Sequence, residues 1–138
     1  MFKKIMTPVD LAHKGDLKKS LDVAADLAKQ YGAELVYVGA TTSTPSSTAH
    51  SPEEYKEKLN AFAAEQSEAH GINATGDMVV AHDPRTDVDD VLLKAVKDEG
   101  VDLIVMQSHM PSFLDYIWPS NGGKIAEHAQ CSVFVVRG

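Results

Sequence analysis

The chain has 138 residues, 43% hydrophobic and 24% charged, which is the length and make-up of one soluble globular domain. Thirteen basic side chains stand against twenty acidic ones, a formal charge of -7, and that balance argues against nucleic acid or an anionic membrane surface as partner. The lone Cys131 forms no internal disulfide, which suits a reducing, cytoplasmic setting.

Lys3 and Lys4 precede apolar residues, but Pro8 and Asp10 break the run within a few positions and no small-residue cleavage site follows. Phe2–Val9 therefore reads as a first strand and not as a targeting segment. Leu17, Leu21, Ala24, Ala28 and Tyr31 recur at three- and four-residue steps, as one buried helix face requires, and Gly32 marks the stop. Ala33–Ala40 is a second strand, and the Ser/Thr/Pro-rich stretch from 41 to 52 a surface loop.

Ser51-Pro52-Glu53-Glu54 carries the logic of a helix start, a capping hydroxyl followed by a proline with no N–H to lose. The stripe after it, Tyr55, Leu59, Phe62, Ala63 and Gln66, is less clean. Ala74–Ala81 is a third strand. Asp83-Pro84 repeats the capping logic ahead of Val88, Val91, Leu92, Ala95 and Val96, with Gly100 at the end. Val101–Gln107, a short helix around Asn121–Gln130 and a last strand at Ser132–Arg137 complete the chain.

The order is β-α-β-α-β-α-β-α-β, within a single domain over residues 1–138. Near-continuous apolar strands and right-handed crossovers make this an α/β chain with an open, doubly wound parallel sheet. Ligands of such sheets sit beyond the carboxyl ends of the strands where strand order reverses, which directs attention to the residues after strands one and four. Asp10 ends the first of these, either as a ligand contact or as a cap for the next loop.

The G-x-x-x-x-G-K-[ST] phosphate loop, the G-x-G-x-x-G fingerprint and the G-x-S-x-G elbow are all missing from the sequence. The six histidines are scattered, so a structural zinc site is not expected. What remains is Ser120-Asn121-Gly122-Gly123, where a cap and two glycines open the last helix. Free N–H groups at a helix start suit an anion, although a capped helix with two packing glycines explains the same residues. His109 serves a phosphate or is an exposed loop histidine. Phe113, Tyr116 and Trp118 cover a ligand or pack against the sheet or a second subunit. Cys131 reads as a small buried filler.

Ile5-Met6-Thr7-Pro8-Val9-Asp10, His82-Asp83-Pro84, Asp102–Met110, Pro119-Ser120 and Ser132-Val133-Phe134-Val135-Val136 follow one another in an order that resembles the universal stress protein family over essentially the whole chain. The resemblance implies a flavodoxin-like, adenine nucleotide alpha hydrolase-like sheet of five strands, with ATP or AMP, with or without Mg²⁺, in its crevice. It implies that Asp10 meets the nucleoside with Pro8 and Val9 beside it, and that Val38 lines the adenine pocket. Gln107, Ser108, His109 and Met110 would follow the ribose and phosphates, and Ser120 and Asn121 would hold phosphate oxygens. Three glycines of the family's loop are replaced here, by Gln107, Met110 and Pro119. Short bacterial members have a loop like this one, with serines and a proline where Ser108, Pro111, Ser112, Ser120 and Asn121 stand.

The last strand, with no proline or inward charge to protect it, is expected to pair with its copy in a symmetric dimer through Val133–Val136. Function is thereby expected to be a homodimeric, cytoplasmic, nucleotide-binding regulator of stress adaptation. The alternatives are a dimerisation scaffold with a decayed site and a slow ATP hydrolase or phosphotransferase. Phosphoryl transfer needs a charge clamp, and beside Asp10 and His109 the sequence offers no evident lysine or arginine for it, so an enzyme is not expected.

Overall fold

The computed structural model describes residues 1–11, 15, 17–41, 51–80, 88–107 and 122–137. Five strands, β1 (Lys4–Val9), β2 (Glu34–Thr41), β3 (Asn73–Val80), β4 (Leu103–Gln107) and β5 (Ser132–Val136), alternate with four helices. The helices are α1 (Lys18–Tyr31), α2 (Pro52–His70), α3 (Val88–Glu99) and α4 (Gly122–His128). All four strand pairings are parallel, in the order β3-β2-β1-β4-β5. This is the open, doubly wound sheet that the alternation of elements predicts.

Alternation along the central strands feeds two cores. Ile5, Val9, Leu35, Tyr37, Leu103 and Val105 pack beneath α1 and α2, while Met6, Val36, Val38, Ile104 and Met106 pack beneath α3 and α4. Every residue of β4 is buried, as its unbroken apolar run requires. β1 and β4 begin two residues later than their apolar runs because the Asp102 carboxylate caps them both. It accepts from the backbone N–H of Lys3 at 2.9 Å and of Lys4 at 3.1 Å, and the Asp102 N–H returns a bond to the Lys4 carbonyl at 3.0 Å.

Helix ends follow their local chemistry. The Ser51 hydroxyl accepts from the Glu54 N–H at 3.2 Å, with Pro52 as first helical residue. Gly32, Gly71 and Gly100 close α1, α2 and α3 with φ of 63°, 65° and 67°, a left-handed turn that glycine adopts without strain. Asp83 and Pro84, assigned by sequence to the start of α3, lie outside the described residues.

The two sheet edges differ. On β3 the Ser67 hydroxyl of α2 both accepts from the Ala74 N–H, at 3.0 Å, and donates to the Ala74 carbonyl, at 3.2 Å. Those are backbone groups that an added strand would use. On β5 Phe134 stands 45% exposed.

Beneath α3 an acidic group gathers around one lysine. Lys4 Nζ lies 3.0 Å from Glu99 Oε2 and 3.9 Å from Glu34 Oε2, and the Glu99 side chain also shares a hydrogen bond with Asp77 of β3. Burial first, then that bond and the charges of Glu99 and Asp98, push the Asp77 carboxyl above its ordinary range against the pull of Lys4. In the unfolded chain the same group ionises at its ordinary value. Between the two values the folded state holds the extra proton, so this group's contribution falls as pH rises. Asp77→Asn removes the penalty. Its melting temperature is expected to exceed the wild-type value at pH 7 and to converge on it as the buffer turns acidic. Calorimetric scans at both pH values check this, and equal melting at pH 7 would count against it.

Candidate functional site

Strand order reverses at β1, which has β2 on one side and β4 on the other. The pairing of β1 with β4 stops short for a reason written into β1. The Lys3 carbonyl accepts from Glu34 on the β2 side and the Lys4 carbonyl from Asp102 on the β4 side. Backbone groups alternate sides along a strand, so the even residues of β1 face β4 and position 8 would direct its N–H there. Pro8 has none. The β1–β4 pairing accordingly runs through Ile5–Leu103 and Met6–Ile104, while the β1–β2 ladder continues up to Val9–Gly39.

Asp10 and Gln107 sit at the ends of the two parting strands, 6% and 9% exposed. A carboxylate taken that far out of water requires compensating donors, and a glutamine amide can both donate and accept. Pro8 and Val9 lie buried just below on β1. Val38 pairs with Pro8, and its side chain is buried in the α3-side core. Ser108, His109, Met110, Ser120 and Asn121, together with Phe113, Tyr116 and Trp118, lie outside the described residues. The described structure thus gathers Pro8, Val9, Asp10 and Val38 at the β1–β2 tip, with Gln107 at the end of β4.

Sequence reasoning missed two residues here. Tyr55, read only as one member of the α2 stripe, is 5% exposed, with its hydroxyl end against Gly39, the register partner of Val9. Burial and then the Asp10 charge push its phenol well above the ordinary tyrosine range, so it stays protonated. Gly39 makes room for it. A Cβ at position 39 would stand 2.7 Å from both Cε1 and the hydroxyl of Tyr55. The available signal was a glycine inside an apolar strand run, which marks a close approach.

Away from the tips, Cys131 is half-buried before β5, and burial followed by the Asp102 charge raises its thiol, in keeping with a packing role. Among the described residues no group of His, Cys, Asp and Glu is placed to hold a metal ion, and no helix is long and apolar enough to cross a membrane.

A five-stranded parallel sheet wound on both faces, with polar groups at the tips of the strands where its order reverses, defines a doubly wound α/β domain. The universal stress protein family model matches residues 1–137, and the chain belongs to that family. Solved structures share the fold at low identity. A family member from Burkholderia pseudomallei is 20% identical, with 97% of this chain and 95% of that one covered and a TM-score of 0.68. The universal stress protein from Archaeoglobus fulgidus in complex with dAMP is 18% identical, covers 96% of each chain and gives 0.66. A family protein from Arabidopsis thaliana with AMP bound is 17% identical, covers 98% and 90%, and gives 0.63.

Proposed function

We propose that this protein binds an adenine nucleotide, ATP or AMP, in the crevice between the tips of β1 and β4, and acts in the cytoplasm as a homodimeric regulator of stress adaptation. The observation that carries this is Asp10, nearly buried where Pro8 lets the central strands part. Its carboxylate suits the amine of adenine or a ribose hydroxyl, and the Gln107 amide suits either partner. The dAMP and AMP held by the relatives agree with that chemistry. Ser108, His109, Met110, Ser120 and Asn121 are assigned to ribose and phosphates on the family resemblance, and Mg²⁺ would accompany ATP there.

The dimer follows from the edges. Ser67 occupies backbone groups of β3, whereas β5 offers Val133–Val136 with Phe134 exposed, so pairing across β5 is the favoured contact. Light scattering at micromolar concentration should read twice the chain mass; a monomer would retire the contact.

Calorimetric titration with ATP, AMP and a guanine nucleotide tests binding. Wild type should take up the adenine nucleotides, and Asp10→Ala should bind them at least about tenfold more weakly, the effect of one lost charge-assisted hydrogen bond. Undiminished binding by the variant would overturn the site. No binding by wild type would favour a scaffold whose site has decayed, and steady ADP release would favour a slow hydrolase.

A further inference from the structure

We infer that the hollow between the C-terminal ends of α3 and α4 is a second ligand site, which takes a small amphipathic carboxylate. Its guest would lay an apolar body on Val96 and Val101 and hold its head group by Lys97 and His128. The hollow lies at the opposite end of the sheet from Asp10 and Gln107, so the inference is independent of the nucleotide reading.

Topology makes the space. α3 stops at Glu99, Gly100 turns the chain with a φ of 67°, and β4 begins at Leu103. α4 stops at His128 and β5 begins at Ser132. The two strands are parallel neighbours, so both helices end beside the amino ends of the same pair. Between those ends about 410 Å³ is left open. Small-molecule sites run from about 300 to 1,000 Å³, so this one suits a body of a single ring or one medium-length chain. Val96 and Val101 are buried in the α3-side core, with half-buried Leu93 and Cys131 beside them, and these offer the guest an apolar bed.

Charge selects the head group. The chain carries a net -7, yet no Asp or Glu is among the described residues that line the hollow. The nearest acids in sequence are engaged elsewhere. Asp98 accepts from Lys94 Nζ at 2.8 Å and Glu99 from Lys4 Nζ at 3.0 Å, while Asp102 accepts from the backbone N–H groups of Lys3 and Lys4. Among the described residues neither Lys97 nor His128 pairs with an acid. Cations in the last turn of a helix often answer its free carbonyls. Here the Val101 and Gly100 N–H groups already hold the carbonyls of Val96 and Lys97, at 3.0 and 3.3 Å, and the Ala129 N–H holds that of Ile125 at 2.8 Å. The ammonium and the imidazole are left for a guest. Lysine supplies charge, and an imidazole donates an N–H whether neutral or protonated. A carboxylate on an apolar body answers both parts of this lining, whereas an amine would meet the like charge of Lys97.

Octanoate is the probe, with 1-octanol and octylamine as uncharged and cationic controls. In ¹⁵N-labelled wild type, octanoate should shift the Val96, Lys97, Val101, His128 and Cys131 amides to saturation, with a Kd of about 1 mM or tighter. Both controls should bind at least about tenfold more weakly, for want of the charge-assisted bond. Cys131, the only cysteine of the chain, gives a second readout. Saturating octanoate should slow its reaction with N-ethylmaleimide at least about threefold by blocking access. Lys97→Gln changes an exposed residue and should raise the octanoate Kd about tenfold at an unchanged melting temperature, and Lys97→Arg should restore most of the affinity. Octylamine binding as tightly as octanoate overturns the inference, as does wild-type affinity in Lys97→Gln. Shifts centred on Asp10 and Gln107, shifts scattered over the surface without saturation, or none up to about 10 mM octanoate overturn it equally.

Discussion

Leu59→Ala is expected to lower the unfolding free energy by about 2–5 kcal/mol, a large share of what holds a domain of this size together. Leu59 is wholly buried on the inner face of α2, in the core beneath α1 and α2. Its Cγ lies 2.9 Å from the point a Cβ at Gly76 would occupy, with Asn60 Oδ1 at 3.0 Å and the Leu59 carbonyl at 3.3 Å, so a side chain on β3 there is crowded by the helix. This gives the prediction a second arm. Gly76→Ala alone should also destabilise, by about 1–3 kcal/mol of overpacking. In Leu59→Ala the new methyl group enters space the leucine has left. The double variant should therefore be more stable than the sum of the two losses, with a coupling of about 0.5–3 kcal/mol in its favour. Urea unfolding of the four chains measures it. Simple additivity would mean that α2 shifts to close the gap.

The same helix shows what was legible from sequence and what was not. Periodicity reports which residues face inward, so Tyr55, Leu59, Phe62, Ala63 and Gln66 were identified as a stripe; the first four are buried and Gln66, a turn further on, is only partly so. It does not report how far each side chain reaches. The doubly wound parallel sheet, with Asp10 and Gln107 at the ends of strands one and four, follows from the alternation of elements and the handedness of their crossovers, which act through the chain itself. Gly39 under Tyr55, Gly76 under Leu59 and Ser67 on the edge of β3 are contacts between elements, set by packing distance, and no local pattern encodes them. Val38, which the family resemblance assigns to the adenine pocket, has its side chain in the α3-side core with Val36, as alternation along β2 requires.

Tyr37→Phe should make the protein more stable, by about 1–2 kcal/mol, and Thr7→Val should do the same. The two residues are register partners on β1 and β2, both wholly buried, and neither hydroxyl has a hydrogen-bond partner among the described residues. A buried hydroxyl without a partner has given up water for nothing, and replacing it with an apolar group of like shape removes that cost. The Tyr37 ring contributes through its edge-on contact with Phe62, at 5.1 Å between centroids, and phenylalanine keeps it. Burial first, and then the Asp22 charge, hold the phenol protonated far above neutrality. The gain should therefore be independent of pH across the neutral range, unlike that of Asp77→Asn, which shrinks as the buffer turns acidic. Because the two positions touch, their gains need not add. Thermal unfolding at two neutral pH values decides the matter. If either replacement lowers the melting temperature, its hydroxyl has a partner in solution, and a buried water bridging strand and helix becomes part of the fold.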